Sequence, residues 1–177
     1  MSEAGEFQII EQFFTYPSFG AWKSQGVGDD CAIIDTGAGR LAVTCDMTAL
    51  GTHFFPDADP EDVGYKALAV NLSDLAAAGA VPRAFFLSIG LPRRDDGWLA
   101  DFSRGLMALA HESGCALLGG DTTRTPEIDG RHAPATISIT AMGDLPAGMG
   151  LTRSGAQPGD DIWVSGTVGD AYAALMC

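Results

Sequence analysis

Residues 59–82 read DPEDVGYKALAVNLSDLAAAGAVP, and this stretch predicts a long, largely buried helix. Asp59 is a typical N-cap, and Pro60 suits the first helical position because an N–H there would have no helical partner. The stretch is rich in Ala and Leu, which indicates burial on more than one side. We expect the helix to reach about Ala78 and to stop at Gly79.

The segments around this helix alternate between strand and helix patterns. Residues 31–34 and 41–44 are predicted to pair as a hairpin. Asp95 or Asp96 caps a second long helix, which Gly114 ends. Paired strands mixed with helices indicate an α+β domain, with a mixed or antiparallel sheet and helices packed on it. The predicted helices are about 6–15, 59–78 and 95–113, and the predicted strands are 31–34, 41–44, 84–89, 115–118, 136–142 and 162–164.

The polar turn at residues 157–160 suggests a domain boundary. We predict an N-terminal domain over residues 1–150, and a linker with the start of a second domain over 151–177. A Gly-rich turn at 165–170 leads into a helix that the chain end cuts off, so we expect the sequence to be a piece of a longer protein.

Composition narrows the possible partners and compartment. The chain has 177 residues, 46% of them hydrophobic, and a formal net charge of −13. Such acidity argues against nucleic acid and anionic membranes as partners, and ATP could bind only through a bridging cation. The cysteines at 31, 45, 115 and 177 lack C-x-x-C spacing and are interpreted as thiols in a reducing cytoplasm. Neither an apolar run of membrane length nor a signal-peptide pattern occurs in the sequence.

Four aspartates are candidate metal ligands. Asp30 lies in a turn, and Asp46 and Asp121 follow predicted strands, where Asp is usually a simple turn residue. Asp74 differs because it lies, like the polar Asn71, inside the Ala-rich helix, so it should be paired or bind a metal. Carboxylates about 4 Å apart repel by roughly 4 kcal/mol at an effective dielectric near 20, so a cluster would recruit cations. An oxygen-only ligand set favours Mg²⁺.

Common nucleotide-binding and nucleophile motifs are absent from the sequence, including G-x-x-x-x-G-K-[ST], G-x-G-x-x-G and a serine elbow. Arg153 is the best cationic partner for a phosphate, because guanidinium binds phosphate through two hydrogen bonds, although a loop Arg is as often simply solvated. His53 is isolated, and such a His is more often structural than a ligand.

Five strings together resemble the thiamine-monophosphate kinase family, in order and at the family's spacing. They are GVGDDCA (26–32), CDMTALGTHF (45–54), the helix string at 59–82, GGDTTR (119–124) and LTRSGAQPGD (151–160). The broader superfamily includes aminoimidazole ribonucleotide synthetase, selenophosphate synthetase and a hydrogenase maturation protein. The resemblance implies the N-terminal domain of that superfamily and the start of its C-terminal domain. It also implies ATP-dependent phosphorylation of thiamine monophosphate to thiamine diphosphate.

The resemblance further implies roles for individual residues. The family's Mg²⁺-binding positions are matched by Asp30, Thr44, Cys45, Asp46, Asp74 and Asp121. Its ATP-contacting positions are matched by Gly120, Asp121 and Arg153, and a position that contacts thiamine phosphate is matched by His53. No general base is required, because an acceptor phosphate with a second pKa near 6 is already a nucleophile at neutral pH. The family forms homodimers through the sheets of this domain.

Some positions depart from the family pattern. Cys45 stands where a hydroxyl residue is usual, which matters only if the side chain, not the backbone carbonyl, is the ligand. Ser103 replaces a Tyr that many relatives have near the nucleotide, and Glu127 to Arg131 looks like an insertion that lengthens a hairpin. Family members continue for roughly another 150 residues, so we expect weak or no activity from this chain alone. Two alternatives remain: another ATP-dependent enzyme of the superfamily, and a non-catalytic dimerisation or metal-binding module.

Overall fold

The structure is a computed structural model, and it describes residues 10, 12, 24–25 and 29–176. The helix predicted at 6–15 therefore lies outside the described residues, apart from Ile10 and Gln12. None of the described helices is long and apolar enough to cross a membrane.

The described helices and strands follow the predicted order closely. In chain order they are β1 (Ser24–Gln25), β2 (Ala32–Asp35), β3 (Arg40–Ala49), α1 (Pro60–Ala77), β4 (Val81–Leu91), α2 (Asp96–Ser113), β5 (Ala116–Arg124), β6 (Glu127–Ile128), β7 (Arg131–His132), β8 (Thr136–Leu145) and α3 (Asp170–Met176). The side chain of Asp59 caps α1 and that of Asp95 caps α2, where Gly114 adopts the left-handed conformation just past the C-terminus. The two long helices are thus confirmed almost to the residue.

Six strands form one mixed sheet in the order β1-β2-β3-β8-β4-β5. The predicted hairpin is confirmed, since β2 pairs antiparallel with β3 from Ala32–Val43 to Asp35–Arg40. The central strand, β8, is antiparallel to both of its neighbours, whereas β4 and β5 are parallel and joined through α2. This arrangement confirms the predicted α+β class with a mixed sheet.

Helices α1 and α2 pack against one face of the sheet and against each other. The alternation of β8 turns Ile137, Ile139 and Ala141 toward this core, where each is about 1% exposed or less. The helices cross closely at Gly64 and Gly105, where an added Cβ would lie 2.0 Å from the Phe102 carbonyl oxygen and 1.9 Å from the Glu61 carbonyl oxygen, respectively. The opposite face of the sheet carries no described helix; we call it the open face.

Several predicted strands are longer in the structure, and one predicted strand is absent from the described residues. The strand predicted to end before Gly119 continues as β5 through Arg124, because parallel pairing with β4 overrides the turn tendency of Gly-Gly-Asp. Glycine suits this strand, since a Cβ at Gly120 would lie 1.7 Å from the Leu87 carbonyl oxygen. Strand β3 likewise continues past Asp46. Residues 162–164 form no strand, and their side chains are largely exposed.

Strands β6 and β7 form a separate two-stranded ribbon. Its turn contains Asp129 and Gly130, with φ of 53° and 73°, the conformation that short hairpin loops favour. The ribbon covers the segment from Glu127 to Arg131 that was interpreted as a hairpin extension.

Candidate functional site

Strand β3 and helix α1 meet through a buried hydroxyl. The Thr44 side chain donates a hydrogen bond of 2.8 Å from Oγ1 to Oδ2 of Asp74. Thr44 is buried, and Asp74 is half-buried near the C-terminal end of the helix. The bond fixes one oxygen of the carboxylate that stood out in the sequence, and it gives Thr44 the role of a donor to Asp74.

A second bond joins the same two elements in the reverse direction. Asn71 lies within α1 with 0% exposure, and its Oδ1 accepts a hydrogen bond of 3.2 Å from the backbone N–H of Asp46. Its Nδ2 donates to the Ala67 carbonyl at 3.0 Å. The sequence singled out Asn71 as a polar residue in an apolar helix, but assigned it no role.

The thiol of Cys31 marks the point where three of the predicted carboxylates gather. Cys31 is buried, and its Sγ lies 3.3 Å from the Asp74 carbonyl oxygen, to which it donates. Burial, followed by the charges of Asp74, Asp30 and Asp46, raises the pKa of this thiol to about 11. Asp30 precedes Cys31, whose thiol contacts the Asp74 backbone, and Asp46 lies two residues after Thr44, which donates to the Asp74 carboxylate, so hydrogen bonds and chain neighbours connect Asp30, Asp46 and Asp74. We call these three residues the acidic group.

Arg153 adjoins the acidic group from the segment that follows β8. Its backbone N–H donates to Oδ1 of Asp29 at 2.7 Å. Its guanidinium donates to Oδ1 of Asp30, at 2.6 Å from Nη2 and 3.2 Å from Nε. The Arg153 hydrogen bond and charge lower the pKa of the Asp30 carboxyl, and the same contacts raise the pKa of Arg153. The predicted phosphate ligand is therefore an ion-pair partner of a predicted metal ligand.

Asp121 and Gly120 lie apart from the acidic group. Asp46 of β3 aligns with Ile139 of β8, Ile139 aligns with Leu87 of β4, and Leu87 aligns with Gly120 of β5. Three strand spacings of about 4.8 Å put β5 roughly 14 Å from Asp46. Asp121 is exposed and lies one residue further along β5. Of the four aspartates expected to lie together, Asp121 is therefore separated from the other three within one chain.

Cys45 faces away from the acidic group. Successive strand residues point to opposite faces, so the Cys45 side chain lies on the open face, opposite to its neighbours Thr44 and Asp46. Its Sγ accepts a hydrogen bond from the Thr140 hydroxyl at 3.3 Å and lies 3.6 Å from the Ser138 hydroxyl. In this chain a thiol in place of a hydroxyl at position 45 leaves the side chains of the acidic group untouched.

His53 lies in the loop between β3 and α1. Its Nδ1 accepts a hydrogen bond of 3.0 Å from the Ala49 backbone N–H, and its carbonyl accepts one of 2.6 Å from Lys66 Nζ. The residue borders a cavity of about 490 Å³ whose lining includes Phe54, Phe55 and Lys66. The structure thus gives His53 a role in shaping the loop and places it beside a space that a small molecule could enter.

The oxygen donors of the acidic group are of the kind that hard divalent cations prefer. In the part of the chain that the structure describes, however, no three His, Cys, Asp or Glu side chains already stand at the spacing of a metal site. The Asp74 carboxylate accepts a hydrogen bond from Thr44, and the Asp30 carboxylate pairs with Arg153. The chemistry of these carboxylate oxygens suits a divalent cation.

Residues 28–145 match the sequence model of the family described as AIR synthase related protein, N-terminal domain. The chain is 44% identical over 173 residues to the thiamine-monophosphate kinase of Salmonella typhimurium, covering 97% of this chain and 51% of that protein. The solved structure of AaThiL complexed with AMPPCP and TMP superposes with a TM-score of 0.82 and 29% identity, covering 99% of this chain and 53% of that one.

A second solved structure is the thiamine-monophosphate kinase of Stenotrophomonas maltophilia K279a, with a TM-score of 0.71 and 47% identity, covering 85% of this chain and 46% of that one. The chain therefore spans about half the length of the curated relatives and solved structures that it matches.

Proposed function

Because the chain belongs to the AIR synthase related family and matches its N-terminal domain, we propose that it forms the nucleotide-binding half of a thiamine-monophosphate kinase. The kinase would transfer the γ-phosphoryl group of ATP directly to the phosphate of thiamine monophosphate. In this proposal residues 1–150 bind ATP and Mg²⁺ and form the dimer, and residues 151–177 connect to a second domain. The similarity to thiamine-monophosphate kinases over 97% of the chain supports this choice of substrate.

The observation that carries the proposal is the acidic group with Arg153 at its edge. The Cys31 thiol next to Asp30 contacts the Asp74 backbone, Thr44 of the strand that carries Asp46 donates to the Asp74 carboxylate, and the Arg153 guanidinium pairs with Asp30. Carboxylate oxygens without nitrogen or sulfur ligands fit Mg²⁺, and we propose Asp30, Asp46 and Asp74 as its ligands. Mg²⁺ bound there would neutralise charge on the phosphates of ATP.

Arg153 is proposed to hold phosphate oxygens. A guanidinium forms two parallel hydrogen bonds to a phosphate as readily as to a carboxylate. The side chains of Arg153 and Asp30 are 48% and 31% exposed, so breaking their ion pair costs little free energy. A phosphate could therefore replace Asp30 as the partner of Arg153. The Asp29 bond holds the backbone of Arg153 and leaves the position of the residue fixed when the guanidinium changes partner.

Two further parts of the site are proposed from the resemblance. Gly120 and Asp121 on β5 would contact the nucleotide, at a distance from Asp46 that one cation cannot bridge within a single chain. His53 and the adjoining cavity of about 490 Å³ would receive the acceptor, thiamine monophosphate. No general base is needed, since the acceptor phosphate is already anionic at neutral pH.

We also propose a homodimer formed through the open face. Met47 and Leu118 are 59% and 60% exposed, and Phe86 is also exposed. These apolar side chains lie on β3, β4 and the edge strand β5, and a second copy of the chain would protect them. The thiols of Cys31, Cys45 and Cys115 are free, as expected in the reducing cytoplasm that we propose as the compartment.

A product assay tests the proposed reaction. The protein expressed from its complete gene is incubated with ATP, Mg²⁺ and thiamine monophosphate, and thiamine diphosphate is quantified by chromatography. We expect one thiamine diphosphate per ADP formed, and a much slower reaction from the 177-residue chain alone. Consumption of ATP only with a different acceptor would move the protein to another enzyme of the superfamily. Absence of ATP consumption with every acceptor would favour a non-catalytic module.

A further inference from the structure

Asn71 is a buried amide whose two hydrogen bonds connect the core of α1 to the backbone of β3. It has 0% exposure in a helix whose other buried residues are apolar or glycine. A buried amide side chain is costly unless its donors and acceptors are satisfied. The Nδ2 group donates within the same helix, to the Ala67 carbonyl. The Oδ1 atom accepts from another element, the Asp46 N–H of β3.

The Asp46 N–H lies on a part of β3 that β2 does not cover. Among the described strands, β2 pairs with β3 only as far as Val43, and β3 continues for six residues beyond that point. Asn71 therefore contacts β3 where pairing to one neighbouring strand has ended. The bond of 3.2 Å connects the strand directly to the helix that carries Asp74.

Two bonds of opposite direction thus connect β3 and α1 at the acidic group. Thr44 of the strand donates to the Asp74 carboxylate of the helix, and Asn71 of the helix accepts from the Asp46 backbone of the strand. The first bond sets the orientation of the Asp74 side chain. The second fixes the position of the Asp46 backbone along α1. It therefore also determines where the Asp46 side chain leaves the strand.

We infer that Asn71 is a positioning residue, which holds Asp46 in register with Asp74 so that both carboxylates can bind one divalent cation. This inference rests on the proposed function, since it assigns Asn71 to the proposed cation site. Residues that orient metal ligands from behind commonly change metal affinity by about 10- to 100-fold when they are substituted. We expect a change of that size from loss of the Asn71 acceptor.

The test compares two buried substitutions in α1. Asn71→Leu keeps the size of the side chain and removes the acceptor, whereas Leu68→Val alters a fully buried apolar residue of the same helix and leaves both bonds intact. Mn²⁺ is the probe, and its dissociation constant for the 177-residue chain is measured by electron paramagnetic resonance. Hydrogen exchange at the Asp46 amide is followed by NMR, and thermal unfolding reports any general loss of stability.

We expect Asn71→Leu to weaken Mn²⁺ binding at least tenfold and to speed exchange at the Asp46 amide. Leu68→Val should lower the melting temperature while changing the Mn²⁺ dissociation constant less than twofold. Mn²⁺ binding that Asn71→Leu leaves unchanged would overturn the positioning role while leaving the proposed function intact. Absence of Mn²⁺ binding to the unsubstituted chain would contradict the proposed cation site itself, and the role of Asn71 with it.

Discussion

Two cysteines of the same stretch, Cys31 and Cys45, lie in opposite environments. Cys31 is buried beside the acidic group, and its pKa is raised to about 11. Cys45 is exposed on the open face, where Thr140 donates to its sulfur. Because the thiolate is the reactive form of cysteine, these environments lead to different reactivity.

We expect iodoacetamide at pH 8 to modify Cys45 at least ten times faster than Cys31 in the folded monomer, for which Met47→Glu is used because the proposed dimer would cover the open face. The raised pKa of Cys31 in the folded chain keeps this thiol protonated at pH 8. The protonated thiol contributes fully to the free energy of unfolding below the unfolded pKa of about 8.5, and this contribution is lost as the pH rises through about 11. Mass spectrometry of the labelled peptides gives both rates. The same chain unfolded in urea is the control, since burial no longer protects Cys31 there. Equal labelling rates of Cys31 and Cys45 in the folded chain, with Cys31 labelled no more slowly than in urea, would contradict the burial of Cys31.

The Asp30–Arg153 pair has a dependence on pH with the opposite sign. The Arg153 hydrogen bond lowers the pKa of Asp30, so the pair stabilises the fold above the ordinary Asp pKa of about 3.9 and is lost as the pH falls through the lowered value. We expect Arg153→Gln to raise the Asp30 pKa, as measured from carboxyl ¹³C shifts in NMR. Arg83→Gln, which removes the exposed partner of Asp144, is the matched control. An Asp30 midpoint that does not respond to Arg153→Gln would contradict the pairing.

The elements show how far local patterns determine this fold. Caps and apolar spacing predicted both long helices, because Asp59, Asp95 and Gly114 satisfy helix ends through local contacts. The same local reasoning ended a strand before Gly119, since the pairing with β4 that extends it is made by residues distant in the sequence. For the same reason the sequence predicted Asp30, Asp46 and Asp74 together but wrongly added Asp121 to them. The distance of Asp121 depends on the order of the strands in the sheet, which local sequence patterns do not reveal.

Helices α1 and α2 approach each other closely because Gly64 and Gly105 lack side chains. We expect Gly105→Ala to lower the free energy of unfolding by about 1–3 kcal/mol or more, since the added methyl would overlap the Glu61 carbonyl. Gly97→Ala in the same helix is the control, because its Cβ would meet only the Asp95 Oδ1 at 3.7 Å. Urea denaturation of the three proteins measures the difference. A Gly105→Ala chain as stable as the control would show that the helices are farther apart.

For the whole molecule, the open face is the surface on which the proposed dimer depends. Met47 and Leu118 expose more than half of their area there, in a chain that is otherwise strongly acidic. We expect sedimentation at about twice the chain mass, and a shift to monomer in Met47→Glu, because a charge would be buried in the interface. Ile128→Glu, on the separate β6–β7 ribbon, should remain dimeric. A Met47→Glu dimer as stable as that of the unsubstituted chain would exclude the open face as the interface.

The central claim is that the acidic group and Arg153 form a phosphate site that depends on a divalent cation. The most direct measurement is a calorimetric titration of the 177-residue chain with AMPPCP, in the presence and absence of Mg²⁺. With a net charge of −13, the chain should bind the analogue at least tenfold more tightly with Mg²⁺. Asp74→Asn should weaken binding at least tenfold, whereas Asp57→Asn, an equal charge change in an exposed loop, should not. Equal affinity without Mg²⁺, or equal effects of the two substitutions, would contradict the claim.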